Sequence, residues 1–258
     1  MNTLNTKKTT QLGWLPDLPD QRDHLYAAPA AVIAELPPCV DLTSQFASVY
    51  DQGELGSCTG NGIAGALQFD AMKQGLPDES IPSRLFIYYN ERVMEGTVTQ
   101  DSGAMIRDGI KSVAKVGACP ETEWPYDISA FATQPPPKCY ADAAAHRAIA
   151  YSRVTRTLSQ LRGCLADGYP FVFGFTAYQS IFDPDVKTTG AIPLPGAKDP
   201  VVGGHCVVAV GYDDGRSVFR IRNSWGTGWG LDGYGSMPYA YLLSGNASDF
   251  WTVRTVAG

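Results

Sequence analysis

Residues 51–62 read DQGELGSCTGNG and place one cysteine, Cys58, among small residues shortly after Gln52. Ser57 suits the N-cap of a helix. Ile63, Ala64, Leu67 and Ala71 then recur at helical spacing until Gly75, so a helix is predicted to begin just after Cys58. Gly60, Gly62 and Gly65 lower its intrinsic propensity. They fit a helix that another stretch of backbone approaches closely. A cysteine at a helix start meets unpaired N–H groups and the positive end of the dipole, both of which favour a thiolate. Taken alone, such a cysteine is more often a small buried hydrophobe. The chain has six cysteines, at positions 39, 58, 119, 139, 164 and 206, with no CxxC pair. A zinc site of the usual spacing is not expected. If Cys58 is reactive, an odd number remains for internal pairing, and nothing in the spacing requires a disulfide.

What turns the balance lies far downstream. GGHCVVAVGY (203–212) and SVFRIRN (217–223) flank the turn signal Asp213-Asp214-Gly215, a hairpin pattern. A turn centred on Asp214 sets His205 opposite Asn223, close enough for their side chains to meet. The Asn amide oxygen would accept from one ring nitrogen, fix the tautomer and leave the other nitrogen for proton transfer. Cys206, one residue on, should point to the other face and into the core. Gln52 supplies a fourth group. Acyl transfer builds negative charge on a carbonyl oxygen, and the Gln52 amide with the Cys58 backbone N–H could supply two donors to it. Asp213 and Asp214 are explained by the turn, and His24 and His146 by a solvated surface.

These strings resemble the papain family of cysteine peptidases, which includes the cathepsins. The matching residues are Gln52-Gly53 through Gly56-Ser57-Cys58, then Gly204-His205, then Asn223-Ser224-Trp225-Gly226 with Gly228-Trp229-Gly230. The interval from Cys58 to His205 falls within the 130–150 residues or so expected of such enzymes, and Asn223 lies slightly beyond it. Val40-Asp41, Trp124-Pro125-Tyr126 and Val210-Gly211-Tyr212 are weaker echoes. The resemblance covers residue 36 to the C-terminus. It implies an α+β, two-lobed papain-like fold with a peptide cleft between a helical lobe and a β-barrel-like lobe. It implies catalytic roles for Gln52, Cys58, His205 and Asn223, a shield over the His–Asn pair from Trp225, and substrate contacts along Ser102, Gly103 and Gly204. It implies no metal or organic cofactor. Three positions depart from the pattern. Leu55 stands where the family usually has a disulfide cysteine, Thr59 where it has an aromatic residue, and Gly204 where Asp or Asn is common. They suggest a divergent, bacterial-type branch.

The rest of the chain agrees with an α+β class. Helices are expected over Ser83–Glu95, Ala104–Val116 and Ser159–Asp167. Strands are expected over Phe171–Phe175, Val207–Tyr212, Val218–Arg222 and Phe250–Val256. Three units follow: 1–35 as an N-terminal extension or short prosegment, 36–150 as the mainly helical lobe, and 151–258 as the β-rich lobe. Trp14, Leu15, Leu18 and Tyr26 suggest that the extension packs against the body, and its proline-spaced apolar residues fit a segment lying along the cleft. The N-terminus has two lysines with no apolar run after them, unlike a secretory signal, which leaves the compartment open. The net charge is −6 with no basic cluster, which argues against nucleic acid or an anionic membrane as partner. The expected partner is a peptide or protein substrate. An acyltransferase or amidase on the same scaffold, or a non-catalytic binding module, are the competing readings; the intact set of four residues argues against the last.

Overall fold

The computed structural model describes residues 12–75, 81–146 and 148–255. The first part of the extension and the end of the last expected strand, at Val256, lie outside the described residues. From residue 12 the chain forms two short strands, β1 (Trp14–Leu15) and β2 (Leu25–Tyr26), then helix α1 (Ala30–Ala34) and strand β3 (Cys39–Asp41). The helical part follows, with α2 (Cys58–Gln74), α3 (Arg84–Glu95), the two-residue strand β4 (Ala104–Met105) and α4 (Ile106–Val116). Gly75 ends α2 in the left-handed region at φ 61, where a residue without Cβ is favoured. Ser83 caps α3 by accepting from the Phe86 N–H at 3.1 Å. The expected third helix starts two residues late, because Ala104 and Met105 pair with Trp14 and Leu15 as a parallel ladder.

Helix α2 is buried on every side from Cys58 to Asp70, rather than along the one stripe its apolar spacing suggested. It lies between α3 and α4 on one flank and the sheet on the other. Its glycines make this possible. A Cβ on Gly60 would sit 2.9 Å from the Arg84 carbonyl oxygen, and one on Gly62 would sit 3.2 Å from both Cys206 Sγ and a Val172 methyl.

The β part contains α5 (Pro137–Ala143), β5 (Ala148–Val154), α6 (Leu158–Ala166), β6 (Phe171–Tyr178), α7 (Pro184–Thr189), β7 (Val201–Asp213), β8 (Val218–Arg222), β9 (Tyr234–Pro238), α8 (Tyr239–Leu243) and β10 (Ala247–Thr255). The sheet order is β2-β5-β10-β6-β7-β8-β9, with β3 also pairing β7. Its two faces are sorted by the strand alternation. Phe171, Phe173, Phe175, Val207 and Ala209 join one core with Phe219 and Phe250. Val172, Cys206 and Val208 join the other, against Ile63, Ala64 and Leu67 of α2.

The β7–β8 hairpin forms, but with another register. Asp213 pairs with Val218, a bulge falls between Ala209 and Gly211, and Val208 pairs with Arg222. Extended by one residue, that ladder sets Asn223 level with Val207 rather than His205. The offset is two residues, an even number, so both side chains keep the same face.

The close approach at Gly60 gives a direct test. Gly60→Ala should cost about 1–3 kcal/mol of stability and so lower the urea midpoint with the slope unchanged, despite the gain in helix propensity. An equal or higher midpoint would show that α2 and α3 separate at no cost.

Candidate active site

The turn before α2 is held by the segment that follows β8. The Gln52 N–H donates to the Ser224 carbonyl at 2.8 Å, and the Ser224 hydroxyl donates to Gln52 Oε1 at 2.6 Å. Gln52 Nε2 donates to the Leu55 carbonyl at 2.8 Å, which orients the amide. Ser57 does not cap α2 with its side chain. Its hydroxyl instead meets Tyr126 Oη at 2.5 Å and accepts from Asn61 Nδ2 at 3.0 Å. Tyr126 in turn donates to the Gln52 carbonyl at 3.0 Å. Tyr126 thus braces both ends of the turn, a role hidden in the sequence because it sits in a proline-rich connection.

His205 and Asn223 meet across strands β7 and β8 despite the shifted register: His205 Nε2 lies 2.8 Å from Asn223 Oδ1. The Ser224 N–H also donates to that oxygen, at 2.8 Å, so the oxygen is fixed as the acceptor and Nε2 as the donor. The other ring nitrogen, Nδ1, is buried with no hydrogen-bond partner. Trp225 stacks on the imidazole at 4.7 Å between centroids, with Phe182 stacked on Trp225 in turn. Water is thereby kept from the His–Asn bond.

Cys58 is fully buried at the first position of α2. The backbone N–H groups of Gly13, Cys206 and Thr59 face its sulfur and favour its thiolate form. The Cys206 contact brings it beside His205, one residue earlier on β7. Cys206 itself points into the α2 side of the sheet, as the alternation implies. Thr59, the unexpected neighbour, bonds Glu91 Oε2 of α3 at 2.5 Å. Glu91 is wholly buried, and burial raises its carboxyl well above the ordinary range.

The covering element is the N-terminal segment. The Gly13 carbonyl accepts from the Ala104 N–H at 2.8 Å. A Cβ on Gly103 would fall 2.1 Å from that carbonyl, and one on Gly204 2.2 Å from the Trp14 carbonyl. Two of the residues expected to line a cleft therefore touch the chain's own N-terminal segment. Ser102 turns its hydroxyl to the Gly103 carbonyl at 3.1 Å. Polar contacts hold the segment further on. Asp17 accepts from the Arg107 N–H at 3.0 Å and from Trp251 Nε1 at 2.8 Å. Arg107 also binds the Leu18 carbonyl and Asp23.

Under this cover, burial pushes the Cys58 thiol up to about 12, with the buried Glu91 adding to the rise and the three N–H groups opposing it. Burial also pushes His205 down to about 4, against the bond to Asn223. Both shifts favour neutral groups. Among the described residues no cluster of His, Cys, Asp and Glu could hold a metal ion.

A model of papain family cysteine proteases matches residues 36–245. The chain belongs to the papain family. It is a hydrolase of the cysteine protease type, and its α+β architecture is the papain-like fold. Its sequence is 42% identical over 221 residues to a peptidase C1-like protein of Acanthamoeba polyphaga mimivirus, covering 82% of this chain and 71% of the viral one. It is 28% identical over 212 residues to cysteine proteinase 1 of Entamoeba histolytica, covering 78% of this chain and 62% of that one. The structure superposes on xylellain, a cysteine protease from Xylella fastidiosa, with a TM-score of 0.91 at 48% identity, over 99% of this chain and 100% of that one. Procathepsin L 3 of Tenebrio molitor shares the fold, with a TM-score of 0.67 at 18% identity, over 91% of this chain and 74% of that one.

The docked segment carries a titratable anchor. Burial, then the nearby Asp249, raises Asp17 from 3.8 to about 6, while Arg107 and Trp251 oppose the rise. Asp17 in turn adds to the rise of Glu95, which burial chiefly pushes up to about 7. A free segment would leave Asp17 near 3.8, so docking favours its protonated form. That contribution is full below about pH 4 and is lost as the pH rises through about 6. Deuterium uptake by residues 12–18, corrected for intrinsic rates, should be slower at pH 5 than at pH 7.5. Asp17→Asn should flatten the difference, and equal protection at both pH values in the unaltered chain would refute it.

Proposed function

We propose that the chain hydrolyses peptide bonds through a thioester on Cys58, and that its N-terminal segment restrains the reaction. One observation carries the chemistry. His205 gives Nε2 to Asn223 and keeps Nδ1 buried and unpartnered, and its neighbour Cys206 turns its backbone N–H to the Cys58 sulfur. In the reactive state Nδ1 takes the Cys58 proton, and the thiolate attacks the substrate carbonyl carbon. The tetrahedral oxyanion is stabilised by the Gln52 side-chain amide and the Cys58 backbone N–H. The imidazolium then protonates the leaving amine, the C–N bond breaks and a thioester remains. His205 next deprotonates water, which attacks the thioester carbon. The acid leaves and Cys58 returns. Trp225 keeps the His–Asn bond dry throughout.

The restraint rests on Gly13. Its N–H group faces the Cys58 sulfur, and its carbonyl takes the Ala104 N–H at 2.8 Å. In this reading residues 1–35 act as a short prosegment, with 36–150 and 151–258 as the two lobes. Peptide or protein is the substrate class.

Cys58→Ala should abolish turnover while leaving the circular dichroism spectrum and melting temperature intact; undiminished peptide hydrolysis by that variant would sink the thioester mechanism. Trp14→Ala in the full chain removes a buried indole from the docked segment, a change that typically costs about 3–5 kcal/mol. It should raise kcat/KM on short peptides ten-fold or more. No increase, with the fold intact, would leave the segment a structural role only.

A further inference from the structure

We propose that the pocket filled by Trp14 selects substrates with a large aromatic side chain that carries a hydrogen-bond donor, tryptophan above all. The inference rests on the reading that the N-terminal segment occupies the place of substrate. Trp14 adjoins Gly13, which lies against the Gly56 carbonyl in the turn before Cys58, and Trp14 shares a core cluster with Cys58, so its side chain enters the first pocket beside the reacting position. The indole is 6% exposed. Two glycines open that space. Gly174 of β6 and Gly204 of β7 lie on the sheet face that carries Val172 and Cys206. A Cβ on Gly174 would fall 1.9 Å from the indole Cε2, and one on Gly204 would fall 2.8 Å from Cζ3's neighbour Cε3. The two missing side chains leave room for a bicyclic ring. A smaller side chain would leave part of that room unfilled, with the loss that any cavity brings.

The polar end of the pocket is also specific. Trp14 Nε1 donates to Asp249 Oδ2 at 3.2 Å. Asp249 has φ 58, a left-handed conformation that a non-glycine residue adopts at a cost. It lies within the irregular stretch of β10, where the pairing with β6 shifts between Ser248 and Trp251. Such bulges re-aim a side chain, and here the carboxylate reaches the indole. Its other oxygen, Oδ1, is held by Arg153 at 2.8 Å. A Lys or Arg side chain would therefore meet a carboxylate whose charge is already matched, whereas a neutral donor gains a bond to Oδ2. The segment's own Asp17 N–H also uses Oδ2, at 2.8 Å, and leaves it when the segment departs.

The test uses the full chain carrying Trp14→Ala and fluorogenic peptides in which one test residue is scanned across the positions flanking the scissile bond. The test residues are Trp, 3-benzothienylalanine, which keeps the bicycle but lacks the N–H, Phe, Leu and Arg. At one position Trp should be preferred, with kcat/KM about ten-fold above the benzothienyl isostere and above Arg. Gly174→Val should invert the ranking there, so that Leu outruns Trp. A position-independent ranking, a preference for Arg, or a Trp preference that survives Gly174→Val would overturn the proposal. The ranking is a ratio within one variant, and it can equally be read on the unaltered chain should Trp14→Ala fold poorly. A Trp14→Ala chain that is no faster overall would overturn the restraint alone.

Discussion

The close packing of helix α2 on strands β6 and β7 is the constraint from which the site follows. A helix buried on all sides must be thin where it meets other backbone, and Gly60 and Gly62 supply that. Once α2 is seated, its first residue, Cys58, falls against the N–H that follows His205. The same sheet face continues from Val172 to Gly174 and from Cys206 to Gly204. Side chains on the first pair of positions press the helix. Their replacement by hydrogen on the second pair opens the pocket. The seat of Cys58 and the pocket that holds Trp14 are thus two stretches of one alternating pattern.

The N-terminal segment joins that pattern from the other side. Its backbone uses the N–H of Ala104, its indole uses the glycine gap, and its acids use Arg107 and Trp251. Arg107 is itself buried, with its charge met by Asp23 at 2.6 Å. Removing one partner of such a pair leaves a stranded charge, which is more costly than the pair is stabilising. The polar anchors therefore specify where the segment lies, while the buried Trp14 adds apolar contact area.

Much of this was legible in the sequence, and the failures have physical reasons. Helices α2 and α3 announced themselves through apolar period and through Gly75 and Ser83. The His205–Asn223 contact was inferred from a register that is wrong by two residues. It survived because an even slip preserves the face and the two side chains are long enough to reach along the strand. Ser57 was expected to cap α2, but a tyrosine from a distant connection took its hydroxyl. Strand β9 was missed because its Gly235 and Pro238 carry no strand propensity, and the ladder with β8 overrides them. The pocket could not be read at all. Gly174 and Gly204 look like weak points in strands until the ring that fills them is seen.

Hydration links the cover to the chemistry. Under the proposed mechanism turnover needs a thiolate at Cys58 and an imidazolium at His205, and burial disfavours both. If the segment leaves, as proposed, the sulfur loses one donor, the Gly13 N–H, a bond to a charged group worth about 1.5–3 kcal/mol. In exchange, water or substrate reaches two groups whose ionisation in a dry site is opposed by several kcal/mol each. The second effect exceeds the first, so opening the cleft favours the ion pair even though it removes a hydrogen bond. The Cys206 and Thr59 N–H groups remain, being part of β7 and α2, and the helix dipole continues to favour negative charge at Cys58. In the proposed reading the segment therefore does more than occupy space: while docked, it holds Cys58 and His205 in the neutral forms that cannot start the reaction.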